Sequence, residues 1–356
     1  MKRIKLFVMA AVVALAAGVA NLSGAPVSAI SSSLSIPPKE KYIIEPGKSI
    51  DDKLVIRNLD SIADLELSLR VIDFTYSDES GTPKLMLDSD LEPTTWSLRP
   101  YLKIPKTVTI PPGGTESIDM NISIPKNRGA GSLYSAIVYS SGSGGAENVN
   151  NVGLSASGVT LVFVDIPGKV KQDLKLEKFG PYSKASRSYM PYFMAAEPQA
   201  MGYTLTNNGN VTEAPVGSIT LKYMLGQEYK ITNVNPANSL ALIGQTRTFV
   251  TCIKSKEQED GKRQDSNVAA TSCVSPGFWP GYYAATAELY YGQNGNNTHD
   301  LIKTVGFWYL PWWFIAVCLV VLAVAAFYIW KLVRKIRHAM YGPQGKPGKK
   351  KVSRRR

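Results

Sequence analysis

The chain has 356 residues, 44% of them hydrophobic, which is room for about two ordinary domains and too apolar a composition for a disordered polypeptide. Its formal charge of +12 suggests nucleic-acid binding only until the charge is located. Lys2, Arg3 and Lys5 open the chain and residues 331–356 carry eleven Lys and Arg with no acid, so removing these from +12 leaves about −2 for residues 6–330 and excludes a basic nucleic-acid surface on the body.

Residues 1–29 read as a secretory signal: basic "MKRIK", the apolar run "LFVMAAVVALAAGVA", and "APVSA" with small residues Val27 and Ala29 at the −3 and −1 positions of a cleavage site. Cleavage after Ala29 makes Ile30 the mature N-terminus. The alternative is an uncleaved anchor helix, for which the apolar run is short.

From residue 30 to 169 the pattern is that of a β-sandwich, with strands near 41–45, 53–58, 63–74, 106–110, 116–124, 132–140 and 158–166. In "ADLELSLRV" the apolar set Ala63, Leu65, Leu67, Leu69 and Val71 alternates with polar residues, and "SIDMNISIP" repeats the pattern with Ile118, Met120, Ile122 and Ile124. "EPGKS", "IPPGGT" and "DIPGK" punctuate the strands, because proline presets φ and glycine accepts the positive φ that follows. The polar stretch "SSGSGGAENVNNVGLSAS" reads as a hairpin tip, either mobile or used in recognition.

A second sandwich is expected over 174–306, with strands at "MGYTLTN", "GSITLKYML", "TRTFVTCI", "YYAATAELYYG" and "LIKTVGFW". Cys252 and Cys273 lie in this exported portion. In an oxidising compartment they can form a disulfide, whose loop of about 20 residues is worth roughly 3 kcal/mol; two cysteines alone do not complete a zinc site. Cys318 reads as an ordinary apolar residue of the segment that follows.

Residues 312–330, "WWFIAVCLVVLAVAAFYIW", contain no charge, and as a helix they extend roughly 28 Å, close to the hydrocarbon thickness of a bilayer. Aromatic residues flank them: Trp308, Tyr309, Trp312 and Trp313 before, Tyr328 and Trp330 at the far end, the arrangement of membrane-interface belts. The basic stretch 331–356 directs that side to the cytoplasm and is expected to be a disordered tail, attracted to anionic lipid or to an acidic partner. The fold expected is all-β, two tandem immunoglobulin-like sandwiches followed by one transmembrane helix.

The segments "YIIEPGKSIDDKLVIRNLD", "VIDFTYSDESGTPKL", "VTIPPGGTESIDMNISIPKNRGAGSLYSAIVY" and "LVFVDIPGKV" resemble the N-terminal domain of the WxL-interacting proteins of Gram-positive surfaces. "YTLTNNGNVTEAPVGSITL" and "GYYAATAELYYG" resemble that family's second domain. The resemblance implies a single-pass surface protein whose first domain engages peptidoglycan and whose second engages other partners. It assigns no binding residue, since the matched positions are turns and strands that any such sandwich needs. Trp96-Ser97-Leu98 spells the tripeptide WxL once, inside the first block, where packing accounts for it.

No catalytic constellation emerges. His299 stands beside Asp300 in what reads as a solvated loop, "NGNNTHD", without a G-x-S-x-G serine, and Asp88, Asp90 and Glu92 alternate on what reads as one exposed strand face rather than in a calcium loop. Neither a Walker loop nor a dinucleotide fingerprint is present, and "YLPWW" lacks the Thr-Gly of a sorting signal. No cofactor and no metal is expected. The function indicated is non-enzymatic binding of a cell-wall polymer or a surface protein, with a structural stalk or assembly scaffold as the alternative; the oligomeric state is open.

Overall fold

The computed structural model describes residues 34–87, 92–141, 156–255, 272–292 and 298–342. The signal segment with Ala29, the acids Asp88 and Asp90, the Gly-rich tip at 142–155 and the tail beyond 342 lie outside the described residues.

The described residues form twenty strands, a short 3-10 turn at Arg99–Tyr101 and one long helix. The first sandwich uses β1 (Leu34–Ser35), β2 (Lys39–Ile43), β3 (Ser49–Asn58), β4 (Leu65–Ile72), β5 (Phe74–Tyr76), β6 (Pro83–Leu85), β7 (Leu102–Lys103), β8 (Thr107–Ile110), β9 (Thr115–Ser123), β10 (Gly131–Ser141) and β11 (Ala156–Ile166). One sheet runs β1-β3-β9-β7, the facing sheet runs β2-β11-β10-β4-β8, and β5 and β6 form a separate hairpin. The alternation seen in the sequence is the burial pattern: Leu54 and Ile56 of β3, Ile118, Met120 and Ile122 of β9 and Leu65, Leu67 and Leu69 of β4 all enter one core.

The second sandwich uses β12 (Leu174–Ser183), β13 (Ser188–Tyr189), β14 (Phe193–Met194), β15 (Ala200–Asn207), β16 (Val216–Tyr223), β17 (Glu228–Ile231), β18 (Thr246–Cys252), β19 (Gly281–Tyr291) and β20 (His299–Tyr309). Its sheets are β13-β12-β15-β18 and β14-β20-β19-β16-β17 around a core that includes Tyr203, Leu221, Tyr283 and Phe307. Each sandwich secures a strand end with a fully buried asparagine. Asn58 donates its amide to the carbonyls of Ala63 and Ile110, and Asn207 donates to those of Val211 and Ala241, so the backbone groups freed where the chain turns are satisfied internally.

The two sandwiches are packed against each other, which alternation within single strands does not announce. In β10 the odd residues Leu133, Ile137 and Tyr139 enter the first core, while the even residues Tyr134, Ala136 and Val138 enter a separate cluster with Phe74, Phe163 and, from the second sandwich, Leu240 and Leu242. The runs "SLYSAIVY" and "VTLVFVDI" are apolar on both faces because both faces are buried. Trp96 stacks on Tyr134 at 6.2 Å and Leu98 is fully buried in the first core, so the Trp-x-Leu tripeptide is packing.

Arg247 of β18 closes the seam. Its guanidinium donates to the Tyr76 hydroxyl at 2.6 Å and the Leu240 carbonyl at 2.7 Å, and lies 4.9 Å over the Tyr76 ring. Tyr76 in turn donates to the Leu240 carbonyl at 2.8 Å. Gly81, in the turn of the β5–β6 hairpin, has φ +81° and lies so close that a Cβ there would fall 2.4 Å from the guanidinium carbon, so both conformation and space demand glycine.

The helix α1 (Trp312–Tyr341) leaves directly from β20 through Leu310 and Pro311. It is longer than the sequence-defined 312–330 stretch, running on through Lys331, Arg334, Lys335 and Arg337. Within Trp312–His338 its most apolar 18-residue stretch has a mean hydropathy of 2.5 and none of that stretch is buried, so it is long and apolar enough to cross a membrane. Pro311 is the N-cap, in extended conformation, rather than the first helical residue; its carbonyl accepts from Phe314 N and Ile315 N at 3.0 and 3.2 Å.

Replacing Arg247 by alanine removes two charge-assisted hydrogen bonds from the seam and is expected to cost on the order of 2 kcal/mol or more. Scanning calorimetry of the full chain should then show the unfolding transition moved to lower temperature but still single, since the apolar cluster across the seam remains.

Candidate functional site: a cleft between two open strand edges

A cavity of about 790 Å³ lies on the side of the second sandwich where β12 and β20 form the margins of their sheets. Among the described residues each of these strands has a full partner on its inner side, β15 and β19, and on its outer side only a two-residue strand at one end, β13 and β14. The β5–β6 turn from the first sandwich, Asp78 to Ser80, covers the mouth.

Strand geometry fixes which backbone groups face the cleft. The Pro181 carbonyl points outward and accepts from Met190 N at 2.9 Å, and the Trp308 N–H points outward and donates to the Tyr192 carbonyl at 2.8 Å. Because every second residue turns its N–H and C=O to the same side, Phe179 on one edge and Gly306 on the other offer their main-chain groups to the cleft, and Thr304 continues the same open edge two residues along from Gly306. Pro181 fits an edge, since its missing N–H breaks no ladder bond. The two edges approach at one end, where Lys303 Nζ donates to the Glu177 carbonyl at 3.1 Å.

Side chains give the cleft an aromatic lining of mixed charge, with the acids Asp78 and Glu79 at the covering turn and three bases on the walls. Lys178, Arg187 and Lys303 bring positive charge, and among the described residues neither Lys178 nor Arg187 forms a salt bridge. Arg187 sits at φ +50°, the left-handed region, in the turn between β12 and β13, where the hydroxyls of Ser186 and Ser188 bond at 2.8 Å. Tyr182 and Tyr189 pack edge to face at 5.2 Å. Burial pushes the Tyr189 hydroxyl up to about 12, so it stays protonated and serves as a donor.

That hydroxyl opens a chain of hydrogen bonds into the first sandwich. Tyr189 meets Thr204 at 2.8 Å, Thr204 meets Thr248 at 2.7 Å, and Thr248 donates to the Glu79 carboxylate at 3.3 Å while its N–H donates to the Glu79 carbonyl. An ionised carboxylate only accepts, so each hydroxyl in turn donates toward Glu79. The wall of the cleft is thereby tied to the hairpin that covers it.

A second polar cluster crosses the seam elsewhere. Asp165, at the end of β11, is held by the Ser132 hydroxyl and by Lys41 at 2.9 Å, and Thr212 of the second sandwich donates its N–H to Ser132 Oγ at 2.9 Å. Beside them Glu213 is buried, with one carboxyl oxygen unpartnered among the described residues. Burial first, and the Asp165 charge second, push the Glu213 carboxyl up to about 7.

The residues singled out from the sequence fall elsewhere. Cys252 and Cys273 are bonded, Cα–Cα 5.1 Å, at the end of β18. Cys318 lies exposed on α1. Trp308 and Tyr309 are the last residues of β20 and half-buried, Trp312 and Trp313 occupy the first turn of α1, and Tyr328 and Trp330 are exposed further along it. Glu92 is exposed, and His299 begins β20 instead of lying in a loop, stacked 5.1 Å from Tyr291. Among the described residues no group of three or more His, Cys, Asp or Glu is placed to hold a metal. The cleft was missed because "LEKFGPYS" carries Gly180-Pro181 mid-strand and reads as a turn; the recurring bases and aromatics of "KFGPYSKASRSYMPYF" were the available signal.

No family model matches the chain, and no curated protein matches it. Among solved structures it is similar to the class 5 fimbriae chaperone CfaA, at 12% identity and TM-score 0.35, covering 76% of this chain and 98% of that one. The E. coli chaperone DraB (11% identity, TM-score 0.32, 76% of this chain and 98% of that one) and the Pseudomonas aeruginosa CupB2 chaperone (8%, 0.28, 75% and 96%) are similar at the same level. Likeness this distant carries no conclusion about ligand or activity; the all-β architecture rests on the strands themselves.

Glu213 gives the seam a pH dependence. Its folded value lies above the ordinary carboxyl value of 4.5, so its favourable contribution is complete below pH 4.5 and is lost as pH rises through about 7, a penalty of roughly 3 kcal/mol once ionised. Denaturant titrations of the native protein should show stability falling across that window, and Glu213→Gln should remove the fall.

Proposed function

We propose that this is a non-enzymatic, membrane-anchored binding protein of the Gram-positive cell surface, related to the WxL-interacting proteins. Its two immunoglobulin-like sandwiches stand outside the membrane, and α1 is the anchor with the basic tail in the cytoplasm. The partner we favour is another surface protein, which lays an extended segment into the cleft between β12 and β20. The observation that carries this reading is the pair of open strand edges flanking one cavity. An added strand gains affinity from main-chain bonds and specificity from side-chain pockets, and here the walls are aromatic and carry Lys178, Arg187 and Lys303 while Asp78 and Glu79 stand at the covering turn, suiting a segment with aromatic and acidic side chains directed at the walls.

A cell-wall polymer is the competing partner. Sugar chains have no peptide ladder to offer a strand edge, so edge and polymer binding respond differently to a proline. The rigid seam also suits the alternative role of stalk or scaffold, in which the body sets a distance from the membrane rather than capturing a ligand.

The test uses the full chain in detergent, with surface-protein extract and isolated sacculi as separate probes. The native chain is expected to retain a surface protein, and Thr304→Pro, which deletes an N–H of the open β20 edge that an added strand would use, should weaken that retention by roughly tenfold, the order expected for losing one ladder bond with its neighbours. Retention of sacculi alone, unchanged in Thr304→Pro, would transfer the assignment to the polymer.

A further inference from the structure

Three separate chain segments bring large apolar side chains to the end of the second sandwich from which α1 departs. Tyr192 and Phe193 are 52% and 61% exposed, Met224 and Leu225 are 56% and 77% exposed, and Trp279 is 65% exposed. The strand register places them together. Phe193 pairs with Trp308 and Met194 with Tyr309, Gly281 pairs with Tyr309, and Met224 N donates to the Tyr282 carbonyl at 3.0 Å. All three segments therefore lie at the last rungs of one sheet, beside the two residues that lead into the helix.

Such a patch is unusual for a surface bathed in water. No Asp, Glu, Lys or Arg occurs in 190–196, 223–227 or 274–287, and the neighbouring Glu197 carboxylate, which does reach this end, accepts from the Ser275 hydroxyl and the Phe278 N–H and is thereby paired within the protein. Its composition of Tyr, Phe, Trp, Met and Leu is that of side chains that partition into the interfacial layer of a bilayer. The spacing is constrained as well. Leu310 and Pro311 span at most about 7 Å when extended, so the rim cannot stand far from where the exposed Trp312 and Trp313 enter α1.

We propose that this rim is a second membrane contact, in which residues 192–193, 224–225 and 279 sit in the headgroup layer of the bilayer that α1 crosses. The proposal rests on α1 being a span. The body is then seated on lipid at three points around its anchor instead of swinging about Leu310–Pro311, and the cleft between β12 and β20 is held at a fixed height and tilt. Loss of one exposed apolar side chain from the rim leaves the anchor intact and frees only the seating.

The full chain reconstituted in phosphatidylcholine vesicles tests this, using lipid brominated close to the headgroup as a contact quencher of tryptophan. One variant keeps only Trp279 and another only Trp313, the remaining tryptophans being replaced by phenylalanine. The expected result is quenching of Trp279 comparable to that of Trp313. Quenching of Trp313 without Trp279 would overturn the rim contact while leaving the span in place, and quenching of neither would overturn both. Should the replacement of buried tryptophans prevent folding, Leu225→Cys in a Cys318→Ala background, labelled with bimane, gives the same reading with every tryptophan retained: quenching by brominated lipid supports the rim contact and its absence overturns it.

Discussion

Burial of β10 on both faces is the constraint on which the rest of the molecule depends. With Leu133, Ile137 and Tyr139 in one core and Tyr134, Ala136 and Val138 in another, the first sandwich cannot part from the second without exposing an aromatic cluster that includes Phe74 and Phe163. Each of these large side chains is worth roughly 1.5–3 kcal/mol buried, so the seam is an apolar core rather than a hinge. Arg247, bonded to Tyr76 and Leu240, then fixes the lateral position of the two halves within that core.

The consequence reaches the cleft through short links. The β5–β6 hairpin is carried by the seam, its turn holds Glu79 against Thr248, and the hydroxyls of Thr204 and Tyr189 continue the connection to the cleft wall. On the other margin β20 runs from the cleft straight into Leu310, Pro311 and α1. In the proposed function a ligand lying along the edge of β20 contacts the strand that leads into the proposed anchor, so that binding and anchoring would share one element.

Much of this architecture was legible in the sequence. Leu65, Leu67 and Leu69, and Ile118, Met120 and Ile122, alternate because one face of an antiparallel strand is wet, and the charge-free run from Trp312 to Trp330 needs no tertiary context to be recognised. The seam was harder to see, because "SLYSAIVY" and "VTLVFVDI" read as strands whether the second buried face meets the same domain or another. The cleft was hardest. A strand interrupted by Gly180-Pro181 looks like a turn, and edge status belongs to the pairing pattern of distant segments rather than to any local signal. Arg247 was likewise hidden, as one base in an ordinary strand, until the fold set it against Tyr76 and Gly81.

The central claim is that the two sandwiches form one rigid body that presents a preformed cleft. Spin labels at the exposed positions Val55 of the first sandwich and Ile302 of the second, introduced as cysteines in a Cys318→Ala background, report the distance across the seam by double electron–electron resonance. A single narrow distribution, unchanged between detergent and bilayer, is the predicted result. A broad or divided distribution would mean that the sandwiches move independently, and the account of the cleft as a preformed site would be contradicted.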